Sequence, residues 1–277
     1  MGICQSTTMS TIMLTSLIPT VRRAGRAALE VYSGDIEVRR KADCTPVTEA
    51  DIAVDEIVVS ALQKAYPAIP VVSEERVASL EAARGAHRFF LVDPIDGTKE
   101  FIRRTGEFTI NIALVEGGVP VAGIVHAPAL GRLFIAEPGA NAEELCERDT
   151  RTALKVRPCG DDSDLVALAS RFHDSAATRA FLRDHAIESC ITAGSSLKFC
   201  VLAAGKADIY PRFGPTMEWD TAAGHAVLAA AGGEVVTADG QPLAYGKPGY
   251  RNPDFIASSP GARARCMGKS AGTGTGT

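Results

Sequence analysis

Apolar residues recur at helical spacing in two early stretches of the chain. Between residues 12 and 32 they stand at Leu14, Leu17, Ile18, Val21, Ala24, Ala28 and Val31. Gly34 suits the end of this first helix. A second helix begins at Thr48, where a hydroxyl cap with Asp51 three positions on is typical of a helix start. Its apolar face continues to Ala65, and Pro67 then ends it.

The pattern changes to strands further along the chain. Short apolar runs bounded by Gly, Pro or charged residues predict strands at 71–72, 88–92, 108–115, 119–126 and 133–136. Gly117 and Gly118 suit a hairpin between the third and fourth of these. The segment 137–164 is rich in Pro, Gly and charge, which predicts a connection to a second half.

The second half alternates between the two patterns. Its predicted strands are 165–169, 189–193, 207–211 and 234–237, and its predicted helices are 175–186, one beginning at 194–196, and one from 220 to 232–233. Such alternation predicts an α/β protein with layers of helix and sheet. We therefore divide the chain into a flexible N-terminal extension (1–12), an α+β half (13–150), an α/β half (151–258) and a disordered tail (259–277).

Composition narrows the class of protein. The net charge is −4 with no block of Lys and Arg, which argues against a nucleic-acid-binding protein. No apolar run reaches the roughly 18 residues of a membrane span. The seven cysteines are scattered, which favours reduced thiols in a cytoplasmic protein. The opening residues MGICQS fit a loose acylation pattern, so a membrane-peripheral location stays open.

The stretch LVDPIDGTKEF (91–101) carries the first candidate chemistry. An apolar strand ends there in Asp93 and Asp96, on a turn that Pro94 stiffens. Two carboxylates on a rigid loop can converge on Mg²⁺ or Mn²⁺. Gly97 and Thr98 could present backbone N–H groups to phosphate oxygens. The alternative is an Asx-type turn with solvated aspartates.

Other acidic residues also stand at the ends of predicted elements. Glu74 and Glu75 follow a strand, Asp220 begins a helix, and Asp51 lies in the first turn of another helix. Each has a simple structural explanation, as a solvated pair, a helix cap and a capping box, respectively. Together with Asp93 they favour a shared metal site.

Three separated motifs carry a family resemblance. They are SEE (73–75), DPIDGT (93–98) and WDTAAG (219–224), in this order. The chain resembles the lithium-sensitive inositol monophosphatase superfamily of Mg²⁺-dependent phosphatases over roughly residues 13 to 258. The resemblance implies a layered α-β-α-β-α sandwich of the inositol monophosphatase and fructose-1,6-bisphosphatase type.

Further motifs resemble one branch of that superfamily, the bacterial 3'(2'),5'-bisphosphate nucleotidases. They are KADCTPVTEAD (41–51), DGTKEF (96–101), GSSLKFC (194–200) and YPRFGPT (210–216). Inositol phosphatases usually carry Asn where this chain has Glu100. The resemblance implies hydrolysis of 3'-phosphoadenosine 5'-phosphate to AMP, which removes a by-product of sulfate assimilation.

The resemblance also implies roles for individual residues. The metal ligands would be Glu74, Asp93, the Ile95 carbonyl, Asp96 and Asp220. Asp51 and Thr98, with Glu74, would act in catalysis by holding and deprotonating the attacking water. Substrate contacts would come from Glu74, Ile95, Asp96, Gly97, Thr98, Ser195, Ser196, Lys198, Arg212 and Asp220. Two or three Mg²⁺ ions, inhibition by Li⁺ and direct in-line hydrolysis would follow.

Several alternatives remain or can be rejected. A haloacid-dehalogenase-like phosphatase places its two aspartates two residues apart, whereas Asp93 and Asp96 are three apart, so we reject it. An inositol monophosphatase or sugar-bisphosphate phosphatase would share the scaffold and stays open. A catalytically silent metal- or nucleotide-binding protein would have lost Asp51, Thr98 or a metal ligand, and all are present. The expected partner is a small phosphorylated nucleotide, and the sequence leaves monomer and homodimer open.

Overall fold

The computed structural model describes residues 12–40, 46–76, 79–146, 148–160, 164–170 and 175–267. The acylation pattern, most of the predicted N-terminal extension and residues 41–45 of the KADCTPVTEAD motif lie outside the described residues. All cysteines in the described part of the chain are free thiols. Among the described residues, no helix combines the length and apolar character needed to cross a membrane.

The elements alternate along the chain much as the periodicity predicts. The helices are α1 (Ile18–Ser33), α2 (Glu49–Ala65), α3 (Ser79–Ala82), α4 (Thr98–Ile102), α5 (Ala176–Asp184), α6 (Leu197–Ala203), α7 (Ala222–Ala230) and α8 (Pro260–Met267). The strands are β1 (Val38–Arg40), β2 (Pro46–Thr48), β3 (Val71–Ser73), β4 (Arg88–Asp96), β5 (Thr109–Glu116), β6 (Val119–Ala127), β7 (Arg132–Ala136), β8 (Glu143–Cys146), β9 (Arg151–Ala153), β10 (Val166–Ser170), β11 (Ser189–Ala193), β12 (Ile209–Arg212), β13 (Glu234–Thr237) and β14 (Phe255–Ser258).

Two large sheets organise the described residues. The first has the order β3-β4-β5-β6-β7-β8-β9, and the second has the order β11-β10-β12-β14-β13. In β4, Phe89 and Leu91 enter one apolar core, whereas Phe90 and Val92 enter another on the opposite face. This alternation buries both faces of the sheet, because successive side chains of a strand point to opposite sides.

Three apolar cores separate the layers. One joins α1 and α2 to the first sheet, and the second joins the other face of that sheet to α6, α7 and the second sheet. The third covers the outer face of the second sheet with α5 and α8. The order of layers is therefore α-β-α-β-α, which confirms the predicted fold class.

The segment 137–164 differs from the predicted connection. Strands β8 and β9 extend the first sheet, so the predicted boundary between residues 150 and 151 falls inside a hairpin. All three β9 residues are exposed. A short edge strand with polar residues lacks the apolar alternation by which strands are recognised, and the sequence therefore missed it.

The C-terminal tail is ordered further than predicted. Residues Pro260–Met267 form α8, with Ala262 fully buried in the third core. His185 Nε2 lies 2.8 Å from the Cys266 carbonyl oxygen and so ties this helix to α5. The prediction of a disordered tail was wrong for these eight residues. The AGTGTGT segment lies outside the described residues.

Candidate active site

Strands β3 and β4 bring the first two candidate acids together. The strands are parallel, and Ser73 stands opposite Val92. The backbone N–H of Glu74 donates to the Val92 carbonyl at 3.2 Å. Glu74 consequently lies beside Asp93, the next residue of β4. Glu74 follows the buried Ser73 and Asp93 follows the buried Val92, so the sheet fixes both acids.

A bulge in β4 sets the position of Asp96 relative to Asp93. Asp93 pairs with Asn111 and Asp96 pairs with Thr109, so three steps along β4 match two steps along β5. A three-residue step on a regular strand would place the two carboxylates on opposite faces. The extra residue compensates for this step and returns Asp96 to the side of Asp93.

Asp220 reaches the same place from the C-terminal half. It ends a 3₁₀ turn, Glu218–Asp220, and its Oδ2 accepts from the Met217 N–H at 2.8 Å. Glu74, Asp93 and Asp220 each offer a carboxylate oxygen, and these oxygens lie within 4.8 Å of one another. Three of the four acids predicted as metal ligands therefore converge, and Asp96 is not one of these three. The ligand roles of all four remain predictions.

Burial and mutual repulsion make the ionised forms of these acids unfavourable unless a positive charge is added. Burial, followed by repulsion from Glu74, Asp96, Asp220 and Asp51, raises the pKa of Asp93 well above its ordinary value. Burial, with repulsion from Asp96 and Glu74, likewise raises the pKa of Asp220 well above its ordinary value. Like charges that share a buried site cannot all ionise without a counter-charge.

The donor atoms fit a divalent cation. Asp93 is 1% exposed, and its Oδ1 has no hydrogen-bond partner among the described residues. A buried acceptor without a donor costs free energy, and a cation would remove that cost. The clustered side chains offer carboxylate oxygens and neither sulfur nor imidazole, a set that favours Mg²⁺ or Mn²⁺.

Ser196 connects the two halves behind the acids. Its N–H donates to Asp96 Oδ2 at 2.6 Å, and its Oγ donates to the Asp220 carbonyl oxygen, also at 2.6 Å. Asn111 Nδ2 donates to Ser196 Oγ at 2.9 Å and to Asp96 Oδ2 at 3.3 Å. Ser196 is 1% exposed, so it holds the acids in place from inside the protein. Sequence analysis did not single out Asn111.

Lys198 is the buried cation next to this network. Its Nζ donates to the Ser195 carbonyl at 2.8 Å and to the Ala193 carbonyl at 3.3 Å. Burial lowers the pKa of Lys198 to about 8, although attraction to Asp96 opposes the shift. Ser195 has a positive φ of 45°, and the Lys198 contact supports this strained residue. The charged neighbours of Lys198 include the carboxylates of Asp96, Glu100 and Glu107 and the guanidinium of Arg212.

Gly97, Thr98 and Ile95 line the cavity beside the acids. Gly97 has φ +87°, and a Cβ there would lie 3.2 Å from Ser195 Cβ, so glycine suits both the backbone and the space. Thr98 Oγ1 donates to the Ile95 carbonyl at 3.4 Å. The strand thus leads directly into the short helix α4 at the edge of the acidic cluster.

The cavity has a volume of about 290 Å³ and extends from the acids to the second sheet. Its far side includes Arg212, Tyr210, Thr216 and Phe255. Arg212 Nη2 donates to the Pro215 carbonyl at 3.2 Å, whereas its buried Nε has no partner among the described residues. Glu100 also lines the cavity, and burial raises its pKa.

Asp51 takes part in the predicted cap. Its Oδ2 accepts from both the N–H and the Oγ1 of Thr48, each at 2.7 Å. Asp51 is 2% exposed, and its charge contributes to the raised pKa of Asp93. The cap therefore places this carboxylate near the acidic cluster, and its catalytic role stays a prediction.

The sequence did not predict the side-chain contacts that support the turn carrying Glu74. Asp55 on α2 is buried, with Oδ1 accepting from Ser73 Oγ and Oδ2 accepting from Arg76 Nε at 2.6 Å. These contacts fix both ends of the turn that carries Glu74. The apolar positions of α2 dominate its pattern, and Asp55 is indistinguishable from a solvated residue until the helix is docked.

Other residues that the sequence singled out lie elsewhere. Glu218 is fully buried and accepts from the N–H groups of Gly246 and Lys247, so it faces a loop. His225 Nδ1 lies 3.0 Å from Tyr245 Oη, and burial lowers the pKa of His225 to about 4. Trp219 packs against Tyr250. His225 and Trp219 therefore pack against tyrosines, and Glu218 supports the 246–247 loop.

The layered fold and the acidic cluster are those expected of a metal-dependent phosphatase. The comparison with known families agrees with this class. The sequence matches the model of the inositol monophosphatase family over residues 11–269. The chain belongs to this family, whose members are metal-dependent phosphatases.

Several individual relatives are similar to this chain over most of its length. The 3'(2'),5'-bisphosphate nucleotidase CysQ of Escherichia coli strain K12 is 43% identical over 249 residues, which is 89% of this chain and 99% of that protein. The crystal structure of CysQ from Bacteroides thetaiotaomicron has a TM-score of 0.76 and 36% identity, and the match covers 88% of this chain and 96% of that one. An IMPase of Thermotoga maritima has a TM-score of 0.72 and 25% identity, with 90% and 92% covered.

Proposed function

We propose that this chain is a 3'(2'),5'-bisphosphate nucleotidase that removes the 3'-phosphate of 3'-phosphoadenosine 5'-phosphate to give AMP and phosphate. The observation that carries the proposal is the convergence of Glu74, Asp220 and the buried Asp93 beside a cavity of about 290 Å³. The names of the relatives with 43% and 36% identity support the choice of substrate class.

In this proposal Glu74, Asp93, Asp96, Asp220 and the Ile95 carbonyl hold Mg²⁺. The cation supplies positive charge to the phosphate oxygens and lowers the pKa of the attacking water. The unpaired Oδ1 of Asp93 supports this assignment. The pKa of Asp220 also supports it, because burial and the neighbouring acids raise this pKa although Met217 and Arg212 oppose the shift. Two or three ions per site and inhibition by Li⁺ belong to the same proposal.

The protein's own groups position the reactants. Thr98 Oγ1 donates to the Ile95 carbonyl, so its lone pairs remain to accept from the attacking water. Asp51 takes the proton of that water, and Gly97 and Thr98 bind the phosphate that leaves. Because Ser196 fixes Asp96 and the Asp220 backbone together, the acids keep one geometry during the reaction.

Arg212 binds the phosphate that stays on the nucleotide. Its buried Nε lacks an acceptor, and a phosphate oxygen would supply one. Lys198 lines the same cavity and adds positive charge. Ser195 completes this wall. A substrate with two phosphates would thus use both ends of the cavity, which an inositol with one phosphate would not.

One panel of phosphate-release assays tests the proposal. We expect turnover of 3'-phosphoadenosine 5'-phosphate with Mg²⁺, much slower turnover of inositol 1-phosphate and fructose 1,6-bisphosphate, and none in EDTA. Faster release from inositol 1-phosphate would instead support an inositol monophosphatase. Arg212→Gln should raise KM for the bisphosphate more than for inositol 1-phosphate, since only the former has a second phosphate.

A location in the cytoplasm and a role linked to sulfate assimilation follow from this substrate. Fractionation of cells would test the location. Accumulation of 3'-phosphoadenosine 5'-phosphate after deletion of the gene would test the role.

A further inference from the structure

A second cavity lies on the opposite side of the first sheet from α6 and α7. It has a volume of about 260 Å³, close to that of the acidic cavity, and the two share no lining residue. We name it the α1 cavity, and its lining residues used below are Arg22, Gly25, Arg26, His126, Leu133 and Leu145. No residue assigned to catalysis takes part in it.

His126 is the buried polar group of the α1 cavity. It is 8% exposed, and its Nδ1 lies 3.1 Å from the Arg132 carbonyl oxygen. A carbonyl can only accept, so Nδ1 carries the proton. Burial, with repulsion from Arg22, lowers the pKa of His126 to about 4, so the ring is neutral at physiological pH. Nε2 is then an acceptor, and it has no partner among the described residues.

Gly25 lets α1 pack directly against the His126 ring. A Cβ at this position of α1 would lie 2.5 Å from His126 Nε2 and 3.0 Å from Pro128 Cβ. Glycine in the middle of a helix is destabilising by roughly 0.5–1 kcal/mol relative to alanine. The close approach of the imidazole explains why alanine does not fit here.

Two arginines give the α1 cavity its charge. Arg22 and Arg26 are four residues apart on α1 and therefore stand on one face. Arg22 already has two partners. It donates to the Cys146 carbonyl at 3.0 Å and forms a salt bridge with Asp149 at 2.8 Å. Arg26 has no hydrogen bond or ion pair within the described ranges. Leu133 and Leu145 supply an apolar wall.

We propose that the α1 cavity binds a small phosphate monoester as its monoanion. The protonated phosphate oxygen donates to His126 Nε2, and the other oxygens accept from Arg26 and Arg22. The organic part of the ester packs on Leu133 and Leu145. A carboxylate is a poorer fit, because at neutral pH it has no proton to donate to Nε2. This site is separate from the proposed nucleotidase reaction and does not depend on it.

The experiment follows the His126 ring by NMR in the full-length, metal-free protein. His126→Gln identifies the resonance by its disappearance. Inorganic phosphate is titrated at about pH 6.5, where a large part of it is the monoanion, and sulfate is titrated at matched ionic strength. Sulfate has a similar shape but carries no proton, so it tests the donor. We expect a saturable shift with phosphate and none with sulfate.

Matched variants separate the α1 cavity from the acidic cavity. Arg26→Ala should weaken the phosphate effect on His126 at least fivefold. Arg23→Ala should leave it unchanged, because Arg23 is an exposed arginine of the same helix that does not line the cavity. Both variants should keep the turnover of the parent enzyme with Mg²⁺. An absent phosphate shift, an equal response to sulfate, or equal effects of Arg23→Ala and Arg26→Ala would overturn the proposal.

Discussion

Buried carboxylates occur in two kinds of surroundings in this molecule. Asp208 and Glu218 are 0% exposed, and each accepts from backbone N–H groups and pairs with a basic side chain, Arg157 or Lys247. Asp93 is buried to the same degree among other acids, with one oxygen unpaired. The first kind brings its own counter-charge, whereas the second requires one from outside the chain.

This difference separates structural acids from binding acids. A buried acid that is fully paired stabilises the fold around it. A buried acid that repels its neighbours weakens the free protein and is retained where a ligand supplies the missing charge. Removing a carboxylate charge should therefore have opposite consequences at the two kinds of site. It should lower activity at the acidic cluster and lower stability at the paired acids.

The largest expected effect is on activity at the acidic cluster. Asp93→Asn should lower kcat by roughly a thousandfold, since it removes a charged oxygen ligand of the cation. In EDTA its melting temperature should equal or exceed that of the parent, because a repelled carboxylate has been neutralised. Phosphate release and thermal unfolding are the two measurements. Activity near the parent level would show that Asp93 is a structural acid as well.

The reverse outcome is expected at the paired acids. Glu218→Gln should lower the free energy of unfolding by about 2 kcal/mol, because the amide can no longer accept from Gly246, Lys247 and the Lys247 ammonium together. Urea unfolding measures this loss. The folded fraction should keep its turnover. A stable but inactive Glu218→Gln variant would contradict the division between the two kinds of acid.

A smaller effect links pH, Mg²⁺ and stability. Burial and like charges raise the folded pKa of Asp93 above its unfolded value. Its contribution to stability is therefore present below the ordinary aspartate pKa and is lost as pH rises through the folded value. A difference of one bound proton gives a slope of about 1.4 kcal/mol per pH unit.

Urea unfolding of the metal-free protein at rising pH should show this loss. Mg²⁺ should restore stability and release protons, which calorimetry in buffers of different ionisation enthalpy detects. Asp93→Asn should have a flatter pH dependence and release fewer protons. Mg²⁺ uptake without proton release would contradict the raised pKa.

The smallest expected effect concerns the hydroxyl that joins the halves. Ser196→Ala removes the Oγ bond to the Asp220 carbonyl and leaves the N–H bond to Asp96 intact. We expect kcat to fall about tenfold, equivalent to about 1.4 kcal/mol. Ser175→Ala is the control, because this hydroxyl caps α5 and lines neither cavity. Equal losses in both variants would show that Ser196 has no special positioning role.

Local sequence patterns were sufficient to predict the first two helices, the cap of α2 and several of the candidate acids. The apolar spacing of residues 12–32 and 48–65 predicted α1 and α2, and Thr48 caps α2 with Asp51 as predicted. The acids at 74, 93 and 220 were recognised because they follow or begin well-defined elements. The resemblance implied the order of layers, and the structure agrees.

The sequence did not predict the contacts between elements that are far apart in the chain. Glu218 and Asp220 are two residues apart, yet one is paired with the 246–247 loop and the other joins Asp93. Asn111 and Asp55 have no local signal, because their roles arise from the register of β4 with β5 and from the docking of α2. For Ser196 the resemblance implied a substrate contact, whereas in the structure it joins Asp96 to the Asp220 backbone. The bulge that brings Asp96 beside Asp93 depends in the same way on the pairing of two strands.

The sequence by itself determined which segments become helices or strands and which of them end in acids, because side-chain spacing and capping act over a few residues. Only the tertiary structure decided which of those acids would meet without a counter-charge, and that His126 Nε2 would have no partner among the described residues in a cavity lined by two arginines. Both outcomes depend on packing between segments far apart in the chain, where burial makes an unpaired charge or acceptor costly.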